Sequence, residues 1–99
     1  MSTVTAYRLP LIHRNGTSHL TLITSYSSGL DAVIKAEKIF KEMELSARDY
    51  DLQGPDAYAA ARKERDEMAR KLAEVKAYCR ALAIHAVADH DTPLRKNKH

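Results

Sequence analysis

Ninety-nine residues, a net charge of +3 and a single cysteine bound what this chain is. The length allows one small domain, and the composition, 44% hydrophobic and 29% charged, excludes a disordered chain. Cys79 has no second thiol for an intrachain disulfide. The N-terminus lacks an apolar run of signal-peptide type, and no stretch approaches the ~20 apolar residues of a membrane span. These features predict a cytoplasmic protein with no membrane partner.

The distribution of charge says more than its sum. Residues 1–30 carry only Arg8 and Arg14, residues 31–60 hold four basic and seven acidic side chains, and residues 61–91 hold seven and six. Interleaved acids and bases at helical spacing, such as Glu67 with Lys71 and Asp66 with Arg70, describe a solvated helix face. A nucleic-acid binder concentrates its basic residues with few acids among them. Nucleic acid is therefore the lesser expectation, resting on the helix-2 arginines and a basic tail.

The first element, residues 1–16, is a short apolar stretch ending near His13 and the turn that follows it. The stretch HRNGTSHL, residues 13–20, supports two readings. Asn15-Gly16 between apolar flanks is a strong hairpin signal, pairing Tyr7–His13 with Leu20–Tyr26. Alternatively, Thr17 or Ser18 caps a helix and Asn15-Gly16 only delivers the chain to it. Leu20, Ile23, Tyr26, Leu30 and Val33 keep a three-four step that runs into LDAVIKAEKIFKEM, a clear amphipathic helix. Gly29 costs about 1 kcal/mol in such a helix, and Ser25, Ser27 and Ser28 are poor helix formers. On pattern alone the two readings are even.

The connection ELSARDYDLQGP is longer than a tight helical hairpin needs. Gly54-Pro55-Asp56 then opens a second helix, since proline is tolerated in the first turn and an acid suits the positive helix end. Tyr58, Ala61, Arg65, Met68, Leu72, Val75, Cys79, Leu82 and Ala86 repeat at three and four for four heptads, the seam of a helix packed lengthwise on another. The helix is expected over about 55–88, roughly 50 Å long. Asp91-Thr92-Pro93 stops it, and residues 89–99 are expected to form a basic flexible tail. Glu37 and Arg65 are each the charged member of an apolar seam and are expected to meet across the hairpin.

HRNGTS followed by RDYDLQGPDAY resembles a group of small uncharacterised phage- and prophage-encoded helical proteins. In that group a short strand ending in H-x-N-G-T-S leads directly into a long helix, and a loop of the type G-R-D-Y-Y-x-Q-G-P-x-A opens a second. The resemblance spans about residues 12–86. It departs at Ala47, where glycine is usual, and at Asp51, where a second tyrosine is common. It implies that HRNGTSHL starts a helix. The expected architecture is then mainly α: an antiparallel two-helix hairpin over 17–88, with helix 1 at about 18–44, loop 45–54 and helix 2 at about 55–88. A short N-terminal strand precedes it. Apolar residues on more than one stripe of helix 1 predict a core completed by oligomerisation.

No catalytic group is expected. Cys79 lies on an apolar seam with no histidine within a helical turn in sequence, as a small buried hydrophobe would. His85 and Asp89 form only a pair, too few for a metal site. There is no glycine-rich phosphate loop. No cofactor is therefore expected. Chemistry concentrates in the loop, where Arg48, Tyr50, Gln53 and Gly54 offer a guanidinium, an aromatic face, an amide and free N–H groups at a helix start. With Asn15 they form the candidate ligand- or partner-binding set. The favoured account of these residues is structural, with Arg48 and Asp49 tying the loop to the helix ends while Tyr50 plugs the hairpin. The expected function is a non-enzymatic phage-type accessory protein that neutralises a host defence. It would act as a homo-oligomer, binding a host protein or sequestering a nucleotide-type signal. The alternative is a small nucleic-acid-associated or regulatory protein.

Overall fold

A computed structural model describes residues 7–90, with side chains to residue 88. The protein is a hairpin of two α-helices, α1 from His19–Lys41 and α2 from Ala57–His90. Between them lie two single turns of 3-10 helix, Ala47–Asp49 and Asp51–Gln53. The order is antiparallel: the His19 ring meets the Ala86 carbonyl at one end, and Arg65 meets Phe40 and Lys41 at the other. No helix among the described residues is long and apolar enough to cross a membrane.

The turn before α1 settles the ambiguity of HRNGTSHL. A hairpin of the favoured type needs positive φ at both Asn15 and Gly16, yet Gly54 is the one described residue with positive φ. Instead the Gly16 N–H donates to the His13 carbonyl at 3.1 Å, closing an ordinary turn. Ser18 follows in an extended conformation, and its Oγ accepts from the Thr21 N–H at 3.1 Å. This is the serine N-cap, which satisfies one of the four orphan donors of a helix start. From there α1 runs unbroken through Gly29.

Among the described residues the expected N-terminal strand does not form. Residues 1–6 lie outside the described residues, and 7–13 belong to no sheet. The physical reason is the absence of a ladder partner, because the neighbouring backbone is helical and already hydrogen-bonded to itself. Side chains hold the segment instead. The Tyr7 ring stands edge-on to Tyr78 at 5.1 Å, and His85 Nε2 donates to the Pro10 carbonyl at 2.7 Å. Three extended residues and seven helical ones each span roughly 10 Å, so this strap runs alongside α2 in the same direction.

Helix boundaries move inward at the loop. Helix 1 stops at Lys41 rather than about 44, and helix 2 begins at Ala57 rather than 55 and extends to His90. The tail expected over 89–99 lies outside the described residues beyond His90. Gly54 turns the chain into α2 at φ 112° and ψ 166°, a region essentially reserved for glycine.

The two glycines answer oppositely to alanine. An added Cβ meets nothing within 4 Å at either Gly29 or Gly54, so only backbone preference decides. Gly29→Ala is expected to stabilise the helix by about 0.5–1 kcal/mol. Gly54→Ala is expected to cost about 1–3 kcal/mol. Urea melts of the two variants beside the parent check both signs.

Packing is thin. Among the described residues the buried ones are Leu82, Ala83 and Ala86, and no large side chain is fully buried. The heptad seam drifts around a nearly straight helix, since 3.6 residues per turn do not match a 3.5 repeat. Its C-terminal members Leu82 and Ala86 are covered, whereas Met68 and Val75 remain 43% and 46% exposed. The chain is also elongated, with extents of 69 × 28 × 19 Å.

Candidate functional site

The loop end of the hairpin is built by hydrogen bonds that the seam pattern did not announce. A helix C-terminus leaves carbonyls without partners. Here the Arg65 guanidinium donates to the Phe40 carbonyl at 2.9 Å and to the Lys41 carbonyl at 2.8 Å. It also lies 5.7 Å from the Phe40 ring centroid. A cation at the negative end of α1 is favourable on its own account. Arg65 thus ties α2 to the last turn of α1.

The expected Glu37–Arg65 pair does not form. Glu37 accepts instead from Lys76 Nζ at 2.9 Å. Counting residues from the loop treated the two helix ends as equivalent, but Glu37 lies four residues from the end of α1 and Arg65 eight from the start of α2. Side chains lean toward the N-terminus of their own helix. Arg65 therefore reaches down to the carbonyls of α1, and Lys76 leans back to Glu37. The Lys76 hydrogen bond holds the Glu37 carboxyl below its ordinary value, with smaller help from the charges of Lys76, Lys41 and Arg80 against some desolvation.

A lowered folded-state pKa contributes stability above the unfolded value that is lost as pH falls through the folded one. Unfolding titrations at descending pH should show this acid-sensitive part in the parent and its loss in Lys76→Met. A double-mutant cycle of Glu37→Gln with Lys76→Met should show coupling, whereas Glu37→Gln with Arg65→Ala should not.

The loop residues occupy one end of the molecule. Tyr50 is half-buried, its ring 6.3 Å from that of Tyr58. It lines an open groove of about 270 Å³ with Phe40, Met43, Leu45, Ala61 and Met68. Arg48 and Gln53 are exposed, and Gly54 supplies the chain reversal. Asn15 does not join them. It sits before the start of α1, and the 23 residues of that helix place roughly 35 Å between the two ends. Arg48, Tyr50, Gln53 and Gly54 therefore form one candidate surface, and Asn15 belongs to another.

Three further side chains take roles that the sequence did not assign to them. His19 and His85 each face a carbonyl oxygen, of Ala86 and Pro10, so each Nε2 carries the proton in these bonds. Their signal was a histidine interrupting an apolar helical run. Leu52 is the third, fully exposed at the loop tip, and its signal was a lone large apolar residue among Asp51, Gln53 and Gly54. No group of three or more metal-ligating side chains occurs among the described residues.

Comparison with known proteins adds no constraint. No family model matches the chain, and no curated protein or solved structure matches it.

Proposed function

We propose that the protein is a non-enzymatic binding protein that works as a homo-oligomer of hairpins. One observation carries this reading: the single chain does not cover its own apolar surface. Among the described residues only Leu82, Ala83 and Ala86 are buried, while Leu20, Ile34, Ile39, Met68 and Val75 stay exposed along the two helices and Met43 just beyond α1. At about 25 cal/mol per Å² of apolar area removed from water, covering such faces is worth more than leaving them wet. Small chains that lack a sufficient core usually complete it by association.

Several of the polar side chains that a catalytic site would draw on are engaged in holding the fold. His19, His85 and Arg65 donate to backbone carbonyls, and Glu37 pairs with Lys76. Arg62 lies over the Tyr58 ring at 5.8 Å, so two helix-2 arginines have internal partners, which counts against the nucleic-acid alternative. Arg48 stands exposed in the first loop turn and is the residue assigned to an anionic group of the ligand. The resemblance carried by HRNGTS and RDYDLQGP supplies the biological setting. The protein is read as a phage-type accessory factor that neutralises a host defence by binding a host protein or sequestering a nucleotide-type signal.

Native mass spectrometry of the protein isolated from its host tests this reading. The expected spectrum shows a multiple of 11.1 kDa with a bound small molecule or a host protein. Arg48→Ala should remove the bound species and leave the melting temperature nearly unchanged. Tyr50→Ala should instead lower stability by about 1–3 kcal/mol, because Tyr50 fills the hairpin end. A stability loss from Arg48→Ala with the ligand retained contradicts the assignment. Strong, steeply salt-dependent binding to random duplex DNA would favour the nucleic-acid reading instead.

A further inference from the structure

The hairpin is electrically polarised along its length. Its loop end, residues 42–56, carries Glu42, Glu44, Asp49, Asp51 and Asp56 against Arg48 alone, a net charge of −4. The opposite end, within 7–20 and 78–90, carries Arg8, Arg14 and Arg80 against Asp89 alone, a net charge of +2. Each end also presents one half of an apolar fit. At the loop tip Leu52 projects fully into solvent. At the far end Ala83, Ile84, Val87 and Ala88 line an open and almost wholly apolar hollow of about 320 Å³, in which Ile84 is 60% exposed. The hollow is roomy enough for a leucine side chain. Arg80 lies one helical turn before Ile84 on the same face, and Asp51 immediately precedes Leu52.

We infer that the partner on these surfaces is a second copy of the chain, lying antiparallel, with Leu52 of each copy seated in the Ala83–Ala88 hollow of the other. The inference rests on the reading of the protein as a homo-oligomer and names its interface. A two-fold axis across the middle of the hairpin makes both contacts at once, as an isologous pair requires. It sets the acidic loop of one copy on the basic end of the other and brings Asp51 near Arg80. A parallel pair would place like charge on like charge at both ends, which is unfavourable.

Disulfide trapping decides the arrangement. Within one chain Ile84 lies 27 residues beyond the start of α2, roughly 40 Å from the loop end, and a disulfide requires Cα atoms within about 7 Å. A bond between positions 52 and 84 is therefore intermolecular. In a Cys79→Ser background, mixing Leu52→Cys with Ile84→Cys is expected to give a covalent dimer of about twice 11.1 kDa. Each variant alone should cross-link little. In the native background, Leu52→Asp should lose the non-covalent dimer, Arg80→Glu should weaken it, and Arg80→Glu with Asp51→Arg should restore it. A protein already monomeric before substitution overturns both the inference and the oligomer reading. A stable oligomer in which Leu52→Cys links only to itself, or which Leu52→Asp leaves intact, overturns this interface alone.

Discussion

Arg65→Ala lowers the stability of the hairpin by about 2–4 kcal/mol, the larger of the two strongest expected effects. Two carbonyls at the end of α1 receive the same guanidinium nitrogen at 2.9 and 2.8 Å. Hydrogen bonds to a charged group contribute roughly 1.5–3 kcal/mol each without adding fully, and a cation at a helix C-terminus adds several tenths or more. Truncation also removes the contact with the Phe40 ring. For a chain of this size each kcal/mol moves the melting temperature by about 4–8 °C. The variant should therefore melt at least 8 °C lower at equal protein concentration. Arg65→Lys should recover only part of the loss, because an ammonium keeps the charge but not the planar fork. A melting temperature within 2–3 °C of the parent, as an unimportant surface arginine would give, contradicts the capping role.

Ala86→Leu is the second. Ala86 is 0% exposed, and its carbonyl accepts from His19 where α1 begins. Three added carbons have no room without parting the helices, and overpacking of this kind costs about 1–3 kcal/mol. The damage should spread to the His19 contact, so the start of α1 should lose amide protection before the loop end does. Ala77→Leu, at an exposed position of the same helix, should leave stability within about 0.5 kcal/mol of the parent. Equal effects at the two positions would show that the helices do not close on Ala86.

The helices were legible because hydrophobic period is a local property. The three-four step of α2 and the apolar stripe of α1 state their own structure. HRNGTSHL was not decidable from pattern, since Asn-Gly suits both the centre of a hairpin turn and the last two positions of an ordinary one. The structure resolves it through negative φ and the Ser18 cap. The resemblance and the hairpin signal at Asn15-Gly16 both suggest a strand before the turn, but a strand also needs a partner that local sequence does not supply. The Glu37 and Arg65 assignments failed for a related reason. Which charges meet depends on where each helix ends and on how side chains lean, and a one-turn error changes every partner. In the candidate site, grouping Arg48, Tyr50, Gln53 and Gly54 needed only their proximity in sequence. Adding Asn15 required knowing which end of the hairpin it occupies. Leu52 was passed over because exposure, the property that singles it out, exists only once the loop is folded.

The central claim is that one hairpin is an incomplete unit. Sedimentation equilibrium of the full chain over a wide concentration range measures it directly. The expected mass is a multiple of 11.1 kDa down to micromolar protein, with a melting temperature that rises with concentration as mass action requires. A mass of 11.1 kDa at every concentration, with a cooperative melt independent of concentration, would contradict it.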